Sequence, residues 1–253
     1  MNKLSQFRFK AITYTCTLTL LLILMHNNTL LAQAYQGKPC KNANSKLKTE
    51  LKSGSFSSYH WANLYGSVNF SSSFLKAEGK PPIISKEEKE EPETGNYRYD
   101  KWSCMYSAYQ AQDGDPTTSW AEGVKGPGIG EILIVPVDNK KETRIWIGFG
   151  KNKNLYLKNS RPKKVKLYLL QPLDGDVSET GILYSSIKIL GTSIVDLKDV
   201  NGWQTIQLPI GSAEKIKNER KSYLQDSRLL AVEILEVYNG THYEDTLISE
   251  IEK

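Results

Sequence analysis

Cysteine and histidine are scarce here, three of each in 253 residues. Cys16 and His26 fall within residues 1–34, which leaves Cys40, Cys104, His60 and His242 for the remainder. Residues so few and so scattered supply no zinc-ligand cluster and no Cys–His nucleophile pair. A Gly-x-Ser-x-Gly elbow is missing, as is a phosphate-cradling Gly-x-x-x-x-Gly-Lys loop. The neighbouring acids Asp174 and Asp176, and Glu244 and Asp245, read as solvated surface groups rather than a paired acid and base. No catalytic residue is assigned, and the chain reads as a non-enzyme.

Long apolar runs are also lacking, with one exception near the start. Lys3, Arg8 and Lys10 precede an apolar run over residues 11–25, and Ala32-Gln33-Ala34 has the small-x-small pattern of a cleavage site. The run is short for a span of about 20 residues. Residues 1–34 are therefore expected to be a signal peptide, with no stable membrane insertion after cleavage and a secreted, periplasmic or cell-surface destination. A dominant charge is lacking too. The leader holds three basic and no acidic residues, leaving 30 Lys/Arg against 28 Asp/Glu, a net of +2. Nucleic acid is excluded as a partner, since it calls for a strongly basic face. Two cysteines left in an oxidising compartment suggest one disulfide, Cys40 to Cys104; the alternative is two separate thiols.

What the chain does have is organised in two parts. Residues 35–96 read as an extended N-terminal arm, rich in Ser, Lys, Asn and Gly, ending in a Pro-bounded charged linker over 86–93. The alternation around Tyr65 to Phe70 suggests a short strand or hairpin packed on the main domain. From Tyr97 onward period-two alternation takes over, which means one buried and one wet face per strand. Ile145, Ile147 and Phe149 alternate with Arg144, Trp146 and Gly148. Val165, Leu167 and Leu169 alternate with Lys164, Lys166 and Tyr168, and Ile206, Leu208 and Ile210 with Thr205, Gln207 and Pro209. Residues 229–237 are apolar at nearly every position and predict a central strand covered on both sides. Residues 212–224 have helical composition and a peripheral charge pattern. Many short strands between turn signals argue a sandwich or jelly roll, and roughly 155 residues suffice for one core.

The most informative stretch is 113–131, which packs acidic, hydroxyl and glycine residues around Trp120 and runs into a strand-like segment at 132–137. Asp113-Gly114-Asp115-Pro116-Thr117-Thr118-Ser119-Trp120 resembles the signature loop of discoidin-like domains, also called F5/8 type C or galactose-binding-like. Glu122-Gly123, Gly126, Gly128-Ile129-Gly130-Glu131, Lys158-Asn159-Ser160-Arg161, Tyr238-Asn239-Gly240 and Ile248-Ser249-Glu250-Ile251 extend the likeness over residues 97–253. Together they resemble the bacterial subgroup found as a translocation and glycan-binding domain ahead of NAD glycohydrolase toxins. No NAD glycohydrolase catalytic domain is expected from these residues.

The resemblance implies an all-β, jelly-roll sandwich of about eight antiparallel strands. It also implies a structural Ca2+, with the carboxylates of Asp113 and Glu250, the backbone oxygens of Gln110, Asp115 and Ser249, and an oxygen of Thr118 as ligands. That donor set suits a hard cation wanting six to eight oxygens. The alternative is that Asp113 and Asp115 merely cap turns while Glu250 pairs with a basic side chain. Trp120 is assigned to the core rather than to a sugar platform. For a ligand surface the loops offer Glu122, Lys125, Asn152, Tyr156 and Arg161, next to Lys151 and Asn154. Arg161 is alternatively expected to pair with Glu122, Glu131 or Asp245. The expected function is a binding module for a glycan or an extracellular or envelope protein. The alternatives are an accessory part of a secreted hydrolase or NAD glycohydrolase-type toxin system, and a structural envelope component.

Overall fold

A computed structural model describes residues 40, 43–54, 59–61, 69–83, 92–178 and 181–253. The expected signal peptide, most of the charged linker and residues 62–68 lie outside these. Two compact units divide the chain, Met1–Lys38 with Pro82–Tyr99, and Pro39–Pro81 with Asp100–Lys253. The second contains every strand of the described residues.

Among the described residues there are ten strands: β1 (Tyr59–Trp61), β2 (Phe70–Ser71), β3 (Trp120–Ala121), β4 (Ile132–Pro136), β5 (Glu142–Ile147), β6 (Arg161–Ser178), β7 (Gly181–Asp196), β8 (Gln204–Gln207), β9 (Leu229–Tyr238) and β10 (Leu247–Ile251). Short helices are α1 (Leu47–Ser53), α2 (Pro92–Ser103) and α3 (Lys153–Lys158), with 3-10 turns at Ala108–Ala111 and Glu219–Leu224. The strands form two antiparallel sheets, of order β1-β7-β6-β9-β4-β2 and β3-β10-β5-β8. The architecture is therefore an all-β sandwich.

Parity explains the main core. In β5, Thr143, Ile145 and Ile147 point inward while Glu142 and Arg144 face solvent. They meet Leu133 and Val135 of β4, Val165 and Leu167 of β6, and Leu230, Val232 and Ile234 of β9 between the sheets. Trp120 lies fully enclosed in this layer, and its indole N–H donates to the Ser73 carbonyl at 3.0 Å. β9 runs between β6 and β4 and is buried on both faces over its first half, as its nearly continuous apolar run predicts.

Two expectations need correction. Tyr168 was assigned to a wet face of β6 but is 3% exposed. A second apolar cluster covers the outer face of the large sheet, where Tyr168 and Leu170 meet Ile132, Ile134 and Ala231 under Leu47 and Leu51 of α1 and Leu224. Ile210 was assigned to the buried parity of β8 but is 98% exposed. Leu208 N–H still donates to the Lys141 carbonyl at 2.8 Å; Pro209 then has no N–H to continue the ladder.

Part of the segment read as an arm is built into this unit. β2 pairs with β4, Phe70 opposite Ile134 and Ser71 opposite Leu133. Leu75 N–H donates to the Ala121 carbonyl of β3 at 2.9 Å, so residues 69–75 touch both sheets. Cys40 and Cys104 are disulfide-bonded, with their Cα atoms 5.1 Å apart.

Candidate functional site

The 113–118 turn is shaped by its own polar groups. Asp115 N–H donates to Asp113 Oδ1 at 2.9 Å, and Thr117 donates to Asp115 Oδ1 from its N–H at 2.9 Å and its hydroxyl at 2.7 Å. The Thr117 bonds hold the Asp115 carboxyl below its usual range. Gly114 supplies the left-handed step, at φ +84°. Turn capping by both aspartates is thus real.

It does not use up the oxygens. Thr118 Oγ1 lies 2.8 Å from the Asp115 carbonyl, 2.9 and 3.0 Å from the two Asp113 carboxylate oxygens, and 3.4 Å from the Gln110 carbonyl. One hydroxyl proton cannot serve four acceptors. Glu250 of β10 closes the cluster. It is 3% exposed and accepts the N–H groups of Gly114 and Asp115, yet its Oε1 has no hydrogen-bond partner. Burial pushes the Glu250 carboxyl up to about 8, and the facing Asp113 carboxylate adds to the shift. The expected alternative, a basic partner, is not there: no Lys or Arg pairs with Glu250 among the described residues.

Ser249 is placed by an irregularity in β10. Ile248 faces Ile147 and Glu250 faces Trp146, so Ser249 is a bulged residue removed from the ladder. Its hydroxyl donates to the Gly148 carbonyl at 2.9 Å and accepts from Gly150 N–H at 2.7 Å. Two carboxylates, two carbonyls and a hydroxyl meet with no nitrogen acceptor, and one carboxylate oxygen is orphaned. That chemistry fits a hard cation such as Ca2+. No cluster of three or more His, Cys, Asp or Glu side chains accompanies it among the described residues.

The residues named for a loop surface are not brought together. Glu122 is fully buried, not displayed: Val124 N–H donates to Oε2 at 2.8 Å and Thr246 N–H to Oε1 at 3.3 Å. Tyr156 is 4% exposed, and its hydroxyl donates to Asp199 Oδ1 at 2.7 Å. Burial, then the Asp199 carboxylate, pushes that phenol well above its usual range. Arg161 pairs with Asp199, not with Glu122, Glu131 or Asp245. Its Nε and Nη2 donate to Oδ1 and Oδ2 at 2.7 and 2.6 Å, and it lies over the Tyr156 ring. Glu131 is taken instead by Lys48, Ser72 and Ser73. Lys125, Lys151, Asn152 and Asn154 remain at the surface, and Asn152 Oδ1 caps α3 by accepting from Leu155 N–H at 2.9 Å. On the outer face of the small sheet, Trp146 meets Trp203 edge-on at 5.8 Å, with Arg144 over the Trp203 ring.

Asp199 and Lys48 are the partners that sequence reasoning missed. Each lies far along the chain from the group it neutralises, and no local pattern marks such a pairing.

A two-sheet antiparallel sandwich whose C-terminal strand meets an Asp-Gly-Asp turn is a module of the discoidin-like class. Residues 90–253 match the NAD glycohydrolase translocation F5/8 type C domain, and the chain belongs to that family. No curated protein matches. Among solved structures, the arabinofuranosyltransferase AftD from Mycobacteria is similar at 14% identity over 74% of this chain and 10% of that one, with a TM-score of 0.36. A GH29 fucosidase of Ruminococcus gnavus in complex with fucose is similar at 14% identity over 76% and 26%, with a TM-score of 0.27. The chain thus spans a tenth and a quarter of those proteins, and neither likeness carries an argument. No helix among the described residues is long and apolar enough to cross a membrane.

Proposed function

We propose that this protein is a secreted or surface-exposed, non-catalytic binding module for a glycan or an extracellular or envelope protein, stabilised by one Ca2+. Membership of a translocation and binding family supports the binding reading. The observation that carries the cation is the crowding of acceptor oxygens around Thr118 Oγ1, closed by the orphaned Glu250 Oε1. The ion would take Asp113 and Glu250 as charged ligands, the carbonyls of Gln110, Asp115 and Ser249, and Thr118. Bound there, it would fasten β10 to the 113–118 turn.

Calorimetric titration of chelator-treated protein with Ca2+ tests the ion. Binding heat and a rise in melting temperature are expected, and both should vanish in Glu250→Gln. Binding to an array of glycans and extracellular proteins tests the recognition; no hit in either class sinks it. A second reading, an accessory part of an NAD glycohydrolase-type toxin system, draws on the family's own description. It predicts co-purification with such an enzyme, and NAD cleavage by this chain alone would contradict both.

A further inference from the structure

Between the end of β4 and the start of β9 lies a cleft of ≈430 Å³, lined by Asn139, Tyr184, Tyr223, Asp226 and Arg228 among others. Such a volume falls within the range of small-ligand sites. Arg228 is 6% exposed. Its Nη1 donates to the carbonyls of Gln225 at 3.0 Å and Ser227 at 2.8 Å. No carboxylate pairs with it among the described residues, and its Nε and Nη2 have no acceptor there. Arg161, buried to the same degree, has Asp199 across a two-bond fork. The stem of Arg228 is enclosed but its Nε–Nη2 edge reaches solvent, so this unpaired guanidinium edge is open to an anion.

The surroundings say what kind. Tyr184 is enclosed, at 4% exposure, while Tyr223 is 47% exposed and tethered by its hydroxyl to the Gly175 carbonyl at 3.0 Å. Both rings belong to the lining of the cleft and offer it apolar faces. Asp138 is already neutralised by Lys140 at 2.6 Å, and Asp226 lies exposed in water. Lys253 also lines the cleft but is exposed, so Arg228 is the one enclosed cation of the lining, with hydrogen-bonding groups beside it.

We propose that this cleft binds a saccharide carrying a carboxylate, a uronic or sialic acid residue. The carboxylate would sit on the Nε–Nη2 edge of Arg228, which matches its two oxygens. The ring would lie against the tyrosines, and its hydroxyls would meet Asn139 and Asp226. This assignment rests on the glycan reading above and adds to it a place and a substrate class.

Calorimetric titration of the whole protein with glucuronate, N-acetylneuraminate, galactose, acetate and phosphate tests it. At least one acidic saccharide should bind about tenfold or more tighter than galactose or acetate, the difference expected of a charge-assisted pair. Arg228→Lys, which keeps the charge and loses the fork, should cost about tenfold or more. Because Arg228 also holds the 225–227 turn, Tyr223→Ala serves as the second variant and should weaken the acidic saccharide with its melting temperature retained. Acetate or phosphate binding as tightly as the sugar acids would mean an adventitious ion only. Equal affinity for galactose, no saccharide binding, or no change in either variant would also overturn the cleft. Glycan-array hits that persist in Arg228→Lys would reject this site while leaving the wider binding function intact; an array blank in both glycans and proteins rejects both.

Discussion

Glu122 follows Trp120 and Ala121 into a glycine-rich loop, yet it is fully enclosed and serves as an internal hydrogen-bond acceptor. Burial pushes its carboxyl up to about 7, only partly offset by the N–H groups of Val124 and Thr246. The folded state therefore holds this proton more tightly than the unfolded chain, where a glutamate titrates near 4.5. Stability from this group is complete below about 4.5 and is lost as pH rises towards 7. Urea denaturation should show the wild type losing about 2 kcal/mol more than Glu122→Gln across that window. Equal pH dependence would show that Glu122 keeps an ordinary carboxyl. Gly128 belongs to the same arrangement. Its φ is +64°, and a β-carbon there would come within 2.4 Å of the Glu122 side chain, so residue 128 has neither the backbone freedom nor the room for a larger side chain.

At the scale of elements, Arg161 joins three pieces that the sequence presents separately: α3 through Tyr156, the start of β6, and the 198–202 turn through Asp199. Asp199→Ala would leave a buried guanidinium with two weak carbonyl contacts. We expect a loss of about 2 kcal/mol, reduced from the cost of a fully buried pair because Asp199 is partly in water. Asp199→Asn should recover part of it, read by thermal or urea melting. The strands themselves were legible. Residues 145 and 147, and 165 and 167, announce their inward face by alternation, and the 229–237 run announces a strand with two covered faces. What could not be read was the cover. Tyr168 sits on the outward parity after Lys164 and Lys166, and that face is covered by Leu47 and Leu51 of α1 and by Leu224, distant in sequence. The oxygen cluster around Thr118 was pointed to only by the likeness of its turn and C-terminal strand to a known family. Arg161 was named for the loop surface, with Glu122, Glu131 or Asp245 as alternative partners; it is buried on Asp199, which is 38 residues away and carries no local signal.

The molecule as a whole is fastened from its N-terminal side. The Cys40–Cys104 bond spans 64 residues of sequence. Replacing both cysteines with serine should lower stability by about 2–4 kcal/mol, chiefly by freeing the unfolded chain. Melting with and without reductant would check this, and a reductant-insensitive wild type would contradict it. The same side supplies Lys48 to Glu131, Ser72 and Ser73 to the same carboxylate, and Phe70 and Ser71 to the edge of β4.

That arrangement sets a limit on how this module can be moved. The family likeness starts at residue 90, and a gene fusion or expression clone drawn to that border would discard β2 and α1. β4 would then end the sheet with bare amides and carbonyls, the kind of edge that recruits other chains. Glu131 would lose its cation and both hydroxyls, and the apolar rear of the sheet would be stripped of Leu47 and Leu51. Light scattering should find a 90–253 piece self-associated where a piece beginning before Cys40 stays monodisperse. The transplantable part of this protein is therefore larger than the part its relatives define.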